Sequence, residues 1–408
     1  MNKFTFVFIF FLQALVSTAQ HTTALDLLVK AERTLAAGDT VKALEQFTNI
    51  LQTHPQNYAA IMRLAEIHFS DKKYSKSVQY LYLGIDIVER FLEQQEVKIE
   101  KNKKVFTPGQ LHRAQDTRDR YKRDLASLYH LLGMNYNRQK KYRQAISHFQ
   151  TALKLHQKSS TYVDLALAYF QTQNHAAGVS ALHQAIAQDS TFSKAYYNLG
   201  NFYNRSEQTD SAVYYYQQAL RIDKDLKWAH LYLARQYEKL GKINQAIEAL
   251  TEFIAEDSSK IEPYFRRAFL YTNQGNFEKA IEDWDRVLLL NDNLADAFRN
   301  RGLTHFYRES YELALQDFDK ALNIEPGEPY TLINRAYSKY LTGRADKALE
   351  DVNKGINNLP RYHLGYYVRA LINLELKKKK KACRDVNRAL ELGMSEGEIT
   401  RKLKRKCF

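Results

Sequence analysis

The chain has 408 residues, of which 45% are hydrophobic, 12% are aromatic and only 6 are proline. It therefore has enough apolar surface to fold, and its richness in Ala, Leu, Lys, Glu and Gln favours an almost entirely α-helical protein over a disordered or β-rich one. The net charge is +14, so an anionic partner has to be considered.

The N-terminal segment has the features of a secretory signal peptide. Lys3 precedes an apolar run over residues 4–16, and a small residue, Ala19, follows the run. We expect cleavage after Ala19, which removes residues 1–19. A membrane anchor is the alternative, but the run is shorter than the roughly 20 residues that span a bilayer. No cysteine follows the run to carry a lipid. The prediction is a periplasmic or secreted protein in an oxidising compartment.

Small residues recur along the rest of the chain at a nearly constant spacing. The first series, whose last six steps are 34 residues each, is Ala31, Ala65, Gly133, Ala166, Gly200, Ala234, Ala268, Gly302, Ala336 and Ala370. The second series, twelve residues further on in each case, is Ala43, Ser77, Ala145, Gly178, Ala212, Ala246, Ala280, Ala314, Ala348 and Ala382. Small side chains at fixed points let two helices approach closely, so each unit is predicted to be a helical hairpin.

The stretch "AYYNLGNFYNRSEQTDSAVYYYQQALRID" shows the unit well, with small and large residues at Leu199, Gly200, Tyr203, Ala212, Tyr216 and Ala219. In this pattern the chain resembles the tetratricopeptide repeat (TPR) family, whose 34-residue unit is a helix–turn–helix. The resemblance covers residues 24–91, as units 1 and 2, and residues 126–396, as units 3 to 10. It implies an all-α, right-handed solenoid of about ten hairpins whose first helices line a concave groove, and it implies protein or peptide binding.

Residues 92–125 interrupt the register, because the expected small residues are missing there. We expect the second helix of the unit beginning at Tyr58 to run on into this segment, to turn at residues 107–109 and to return as a second long helix. The segment would then be a protruding, basic helical insertion. A degenerate repeat that simply continues the solenoid is the alternative.

The residue just before each small residue divides the repeats into two classes. Earlier units have leucine there, at Leu64, Leu132, Leu165, Leu199 and Leu233. The last four have Arg267, Arg301, Arg335 and Arg369, followed sixteen residues later by Asp283, Asp317, Asp351 and Asp385. This spacing predicts a ladder of planar ion pairs inside the stack. A row of arginines that binds anions is the alternative.

Residues 395–408 are predicted to form a capping helix, since the final hairpin has no following repeat to cover its apolar face. Gly393 ends the previous helix, and Ser395 and Glu398 have the spacing of a capping box. We expect the cap to fold back antiparallel to the helix before it.

Both cysteines of the chain lie in this C-terminal region. Cys383 is 11 residues before the turn near Met394, and Cys407 is 13 residues after it. Antiparallel helices would bring the two to about the same height, which allows a disulfide. Two free thiols, or a bridge between molecules, are the alternatives.

Two segments carry the whole positive excess. Residues 98–123 contain nine Lys and Arg against three acids, residues 377–408 contain twelve against four, and the remainder balances at 39 bases and 39 acids. The body of the solenoid is therefore not basic, which argues against nucleic-acid binding. We interpret the two segments as solvated charge, with docking to an anionic envelope surface or to an acidic partner as the alternative.

The sequence lacks the motifs HExxH, GxxxxGK[ST], GxSxG, CxxC and an EF-hand loop, and its 12 histidines show no spacing typical of metal sites. His148, His183 and Asp164 occur at helical spacings inside repeats and are interpreted as structural. Because the repeats fill nearly the whole mature chain, we predict no enzyme, no cofactor and no metal.

The resemblance also implies which first-helix side chains face the groove. In the central repeats these are Lys194, Tyr197, Asn201, Arg235, Phe265, Phe269, Arg299, Tyr337 and Tyr340. Tyrosine gives contact area at low entropic cost, and Asn and Arg can hydrogen-bond an extended peptide. The Lys/Asn/Lys/Arg clamp of chaperone-binding members is not reproduced. Packing between repeats is the alternative role for each residue.

The leading hypothesis is therefore an exported, non-enzymatic scaffold or adaptor that binds a peptide or protein segment in its groove. The alternative is an envelope-assembly or surface-attachment factor that docks to anionic surfaces through its basic insertion and C-terminus. Neither hypothesis involves nucleic acid, and neither keeps a transmembrane segment after signal cleavage.

Overall fold

The computed structural model describes residues 19–408, with side chains from residue 24 onward. The predicted signal peptide, residues 1–19, thus lies outside the described residues except for its last position. The described chain forms two compact units, with the boundary between Ser206 and Glu207.

The described part of the first unit consists of nine α-helices. They are α1 Ala19–Ala36, α2 Thr40–Thr53, α3 Tyr58–Ser70, α4 Tyr74–Asn102, α5 Pro108–Arg138, α6 Tyr142–Leu155, α7 Ser159–Gln171, α8 His175–Gln188 and α9 Ser193–Arg205. Each helix contacts the next one along the chain. The first helices of successive hairpins, α3, α5, α7 and α9, also contact one another and so form one side of the stack.

The second unit consists of twelve α-helices. They are α10 Thr209–Ile222, α11 Lys227–Lys239, α12 Ile243–Glu256, α13 Ile261–Asn273, α14 Phe277–Leu290, α15 Ala295–Tyr307, α16 Tyr311–Ile324, α17 Pro329–Leu341, α18 Ala345–Asn358, α19 His363–Glu375, α20 Lys379–Glu391 and α21 Arg401–Cys407. First helices again contact first helices, from α13 to α19. No strand occurs between residues 19 and 408, so the predicted all-α fold of stacked helical hairpins is confirmed.

A single residue in the left-handed conformation turns the chain inside each hairpin. It is glycine at Gly38, Gly241, Gly275 and Gly343, and a polar residue at Lys72, Lys140, Gln173, Glu207, Glu309 and Lys377. The next amide then bonds back to the end of the first helix, as Lys141 N does to Tyr136 O at 2.9 Å. This 6→1 bond satisfies carbonyls that the helix end leaves open, so a tight turn is stable even without glycine.

The small residues of the sequence register lie where the two helices of a hairpin meet. A Cβ atom built on Gly133 would lie 2.6 Å from the ring of Phe149, and one on Gly302 would lie 2.8 Å from the ring of Phe318. Both rings are fully buried. The glycines are therefore needed for close helix contact, and each aromatic ring fills the space that a larger first-helix side chain would occupy.

Residues 92–125 lie within two long helices joined by a short turn. Helix α4 has 29 residues and α5 has 31. Between α6 and α19, each second helix of a hairpin has 14 residues and each first helix has 13. Thr107 caps α5, with Pro108 at its first position and a reciprocal bond from Thr107 N to Gln110 Oε1 at 2.9 Å. These signals stop α4 from continuing and start α5 at a defined residue.

The C-terminal cap differs from the predicted helix over residues 395–408. The Ser395–Glu398 capping box is present, but it encloses a 3-10 turn, Glu396–Glu398, and the chain is then extended at Ile399. The helix is α21, which begins only at Arg401. Ile399 and Leu403 are nevertheless both buried against α19 and α20, so burial of these two side chains, and not continuous helix, decides the path.

Among the described residues, no helix combines the length and the apolar character that a bilayer span requires.

Candidate functional site

Exposed apolar side chains recur on the first helices of the second unit. They are Trp228 on α11, Phe269 on α13, Tyr307 on α15, and Tyr330 and Leu341 on α17, with 38–57% of each residue exposed. They occupy three positions of the repeat register. The second position is seven residues after the first and the third is eleven residues after it, so on an α-helix both lie within about 20° of the first. We call these five residues the exposed apolar row.

Two arginines that were expected to face a groove are held by acidic residues within the protein. Arg235 forms a hydrogen-bonded ion pair with Glu262 on α13, which also accepts from Arg266 Nε at 2.8 Å. Burial opposes ionisation of Glu262, but the bonds from Arg266 and Arg235 outweigh it and lower its pKa. Both charges are thus neutralised between adjacent first helices.

Arg299 is bound in the same way. Its Nη2 donates to Glu325 at 2.9 Å, at the end of its own hairpin, and its Nη1 donates to Asp296 at 2.7 Å on its own helix. Its Nε donates to Thr331 Oγ1 at 3.0 Å in the following repeat. The side chain keeps only 20% of its surface exposed. Few donors of Arg299 are left for a ligand, so its main effect is to fix two repeats relative to each other.

In the second unit, three of the four expected aromatic residues pack against other aromatic rings of the protein. Phe265 lies edge-on to Trp284, with 4.8 Å between ring centroids, and Tyr337 lies 5.3 Å from Phe306 and 6.3 Å from Tyr340. Burial raises the pKa of Tyr337 to about 12. Phe269 differs because 49% of it is exposed, and it is the one expected residue that belongs to the exposed apolar row.

The remaining three expected residues lie on α9 in the first unit. Lys194 is exposed, and Tyr197 and Asn201 are each half-buried. The positive charge of Lys194 acts on Asp164 of the preceding repeat. The structure therefore divides the nine expected residues between an α9 group and a larger group in the second unit.

The four arginine–aspartate sets form bidentate ion pairs in the second unit. Nε and Nη2 of each arginine donate to the two carboxylate oxygens of the aspartate sixteen residues later, at 2.6–3.0 Å, in the pairs Arg267–Asp283, Arg301–Asp317, Arg335–Asp351 and Arg369–Asp385. Each aspartate side chain is 4–8% exposed. A buried carboxylate with a planar partner on both oxygens is satisfied, so these arginines do not present an empty anion site.

Each of these arginines has a second acceptor, on the second helix of the preceding repeat. Nη1 donates to the residue sixteen positions earlier, which is Thr251, Asp285, Asp319 or Asn353 in the four cases, at 2.5–3.0 Å. One guanidinium thus joins the two helices of its own hairpin and the hairpin before it. We call the four arginines with both sets of acceptors the arginine ladder.

Comparison with known protein families places this architecture. Models of the tetratricopeptide repeat match residues 34–82, 126–158, 193–226, 228–259 and 261–294. The chain is a TPR protein. A comparison with curated proteins gives no significant match.

Several solved TPR structures are similar to parts of the chain. YrrB, described as a TPR protein with an unusual peptide-binding site, is 25% identical over 45% of this chain and 95% of its own, with a TM-score of 0.43. A TPR protein from Parabacteroides merdae is 19% identical over 61% and 99%, with a TM-score of 0.42. MamA from Desulfovibrio magneticus is 18% identical over 41% and 94%, with a TM-score of 0.39.

Four members of the exposed apolar row were not among the expected groove residues. Trp228 and Tyr330 share one position of the TPR register, and Tyr307 and Leu341 share another, one turn beyond the position of Phe269. The same two positions hold Glu262 and Lys239 in neighbouring repeats, so no recurring apolar position marked these residues. Large apolar residues at both are typical of buried helix positions, so the sequence alone does not distinguish this exposed row from core.

In the first unit of the TPR protein a histidine and an aspartate connect two adjacent first helices. His130 Nδ1 lies 2.8 Å from Thr161 Oγ1, and His130 Nε2 lies 3.3 Å from Asp164 Oδ2. Burial lowers the pKa of His130 to about 4 and raises the pKa of Asp164 to about 6. The pair is therefore His⁰/Asp⁻ near pH 7 and takes up one proton near pH 6.

The two cysteines lie side by side between α20 and α21. Their Cα atoms are 5.0 Å apart, which is within the range that permits a disulfide, and their sulfur atoms are adjacent. Cys407 also contributes to the apolar cluster that joins the cap to the last hairpin.

Within residues 19–408, no group of three or more His, Cys, Asp and Glu side chains is placed to hold a metal ion.

Proposed function

We propose that this TPR protein is an exported, non-enzymatic scaffold that binds an extended peptide or protein segment along the first helices of its second unit. The observation that carries the proposal is the exposed apolar row. Single exposed apolar residues are common on protein surfaces, but these five lie on four successive first helices, near one line along each helix. A series of apolar contacts on successive helices suits an extended partner that carries several apolar side chains.

Charge on the same helices supports an apolar specificity. Arg235, Glu262 and Arg299 all have partners within the protein, so a bound segment would meet few unpaired charges near Phe269. Tyr307 and Tyr330 add large contact areas with hydroxyl groups that can hydrogen-bond a peptide backbone. We expect aromatic or aliphatic anchors in the partner, and weak dependence of binding on ionic strength.

Selection from a random peptide library tests this function directly. The full-length mature protein is used to select short peptides, and the affinity of the enriched peptides is measured by fluorescence anisotropy. Phe269→Ser with Tyr307→Ser should weaken binding by roughly ten-fold or more, because anchor residues at protein interfaces each contribute about 1–2 kcal/mol or more. Circular dichroism should show unchanged helicity.

A matched control is available on a second helix. Leu289 on α14 is 74% exposed, more than either tested residue, but it lies off the row. Leu289→Ser should leave the affinity unchanged. If no peptide is enriched, or if Leu289→Ser weakens binding as much as the double substitution does, the exposed apolar row is not the binding face.

A separate substitution tests the α9 group. Tyr197→Ala with Asn201→Ala is expected to weaken peptide binding at α9 without loss of helicity. A lower unfolding temperature with unchanged affinity per folded molecule would instead assign both side chains to packing, which their half-buried state also permits.

Export and a disulfide between Cys383 and Cys407 belong to the same proposal. The N-terminal signal would send the chain to an oxidising compartment, where two cysteines with Cα atoms 5.0 Å apart form a bond readily. Closing the loop between them would add about 3 kcal/mol of stability in the chain-entropy model. Peptide mapping without reduction, on protein recovered from the envelope fraction, should yield the cross-linked pair and a mature N-terminus after Ala19. Alkylation of both thiols without prior reduction would contradict the bond.

A further inference from the structure

The two long helices of the first unit extend well past the length of a repeat. Helix α4 has about 15 residues more than the 14-residue second helices, which corresponds to about 22 Å at 1.5 Å per residue. The extension is held by its own contacts, such as Gln95 Nε2 to Ala114 O at 2.9 Å and the rings of Phe91 and Tyr121 at 5.8 Å. We call residues 92–125 the basic hairpin.

The tip of the basic hairpin carries four exposed lysines, Lys98, Lys101, Lys103 and Lys104. Among the described residues none of the four forms an ion pair. The acids on the returning helix are already engaged, since Asp119 accepts from Arg118 at 2.9 Å and Asp116 lies 3.5 Å from His112. Glu100 is the one acid among these lysines, so residues 98–104 keep a net charge of about +3 at one end of the helix pair.

Apolar surface lies among these lysines. Val105, in the turn itself, is 79% exposed, and Val97 on α4 is 46% exposed. The turn has a defined geometry because Thr107 and Gln110 form the reciprocal cap that begins α5. An exposed valine thus occupies a fixed position at the tip, directly after the lysines that precede it.

We infer that the tip of the basic hairpin docks on an anionic lipid bilayer, with the four lysines at the headgroups and Val105 at the boundary with the acyl chains. Lysines near an anionic surface attract it additively, and a small apolar tip adds affinity by entering the interface. An acidic protein is a poorer match, because stable protein interfaces bury about 800 Å² on each partner and the exposed apolar surface here is confined to the tip. The inference does not depend on peptide binding by the second unit.

Vesicle co-sedimentation of the full-length mature protein tests the inference. Binding should occur to vesicles of phosphatidylcholine with phosphatidylglycerol, should be absent with phosphatidylcholine alone, and should weaken as salt is raised. Replacing Lys98, Lys101, Lys103 and Lys104 together with Gln should reduce partitioning by roughly 100-fold or more, since each lysine contributes about five-fold near an anionic surface. Circular dichroism confirms that the variant is folded.

The lysine run of the last hairpin provides a control of equal charge. Changing Lys377, Lys378, Lys379 and Lys380 to Gln removes the same charge elsewhere and should change partitioning far less. In addition, the tryptophan introduced by Val105→Trp should show blue-shifted emission when anionic vesicles are added, after the spectrum of the parent protein is subtracted. Equal losses in the two quadruple variants, no shift of that difference spectrum on vesicles, or binding to soluble polyglutamate without binding to vesicles would each overturn the inference.

Discussion

The leucine repeats and the arginine repeats solve the same packing problem in different ways. Leu165 and Leu199 occupy the position before the small residue as ordinary core side chains, with 6% and 0% of their surface exposed. In the last four repeats an arginine at that position reaches one aspartate in its own hairpin and one acceptor in the hairpin before it. One class is held at this position by apolar contact alone and the other by directional bonds.

The difference lies in what each contact specifies. Apolar contact is non-directional and tolerates shifts between neighbouring repeats. A bidentate pair between Arg301 and Asp317 has one favourable geometry, and a shift of either helix would leave a nearly buried carboxylate unpaired. We expect the arginine ladder to fix the register of the second unit more than it raises its net stability.

The largest effect is expected from placing an arginine in a leucine repeat. Residue 181, sixteen positions after Leu165, is an alanine, and both residues are 6% exposed. Leu165→Arg would bury a charge without a partner and should lower the free energy of unfolding by about 4 kcal/mol. Urea unfolding followed by circular dichroism measures the change, with Leu165→Met as a control of similar volume that should cost under about 1.5 kcal/mol.

Ala181→Asp, added to Leu165→Arg, recreates half of the ladder in a leucine repeat. The residue sixteen positions before Leu165 is the buried Phe149, so no second acceptor is available. Recovery should therefore be partial. No recovery at all would show that the ladder requires its second acceptor, or a backbone geometry that the leucine repeats lack.

A second prediction uses a polar contact that the leucine repeats do have, the His130–Asp164 pair. Below pH 6.5 this histidine becomes protonated in the unfolded chain, whereas in the folded protein His130, with a pKa of about 4, stays neutral. His130 therefore makes the folded protein less stable as the pH falls. Asp164, with a pKa of about 6, binds a proton that the unfolded aspartate does not bind until about pH 3.8, so it gains stability over nearly the same range. The two effects offset each other in the native protein.

Asp164→Asn should remove the gain and leave the loss. Relative to the parent protein, the variant should become less stable by about 3 kcal/mol between pH 7 and pH 4, measured as urea midpoints at several pH values. His130→Gln should change in the opposite direction over the same range. Parallel pH profiles for all three proteins would show that the pair does not titrate as stated. The arginine pairs give no such dependence, because guanidinium groups stay charged throughout.

The repeat register could be predicted from the sequence because it depends on local geometry. Small residues such as Gly133 and Gly302 recur at the helix contacts, and the arginine–aspartate spacing of sixteen follows from the same register. The second acceptors were missed because their identities vary, from Asp285 to Thr251, and because they lie in another repeat.

Side-chain exposure was harder to predict. Arg299 has a pattern typical of a groove residue, yet Thr331, 32 residues away in the following repeat, binds it. Trp228 is a residue type that is typical of a protein core, yet 41% of its surface is exposed. Both outcomes depend on how neighbouring repeats are placed, which a periodic pattern does not contain.

The third prediction breaks a ladder pair in place. Arg301→Met should lower the free energy of unfolding by about 2 kcal/mol, since it leaves the buried Asp317 without its bidentate donor. Asp317→Leu in the same chain should recover part of that loss, because two apolar residues can fill the site without an unpaired charge. Strictly additive losses in this double-mutant cycle would contradict the pairing.

The smallest effect is expected at the second acceptor. The side chain of Asp285 is 57% exposed, so water screens its bond with Arg301, and exposed pairs contribute about 0.2–1 kcal/mol. Asp285→Asn should therefore cost about 0.5 kcal/mol, and Asp319→Asn should cost the same in the next repeat. High salt should abolish these losses while leaving the loss from Arg301→Met nearly unchanged, since the pair with Asp317 is buried. Two repeats of the chain already have an uncharged second acceptor, because Thr251 and Asn353 occupy this position. A loss at Asp285 as large as that of Arg301→Met would mean that the contact between hairpins, and not the pair within one, supplies most of the ladder's stability.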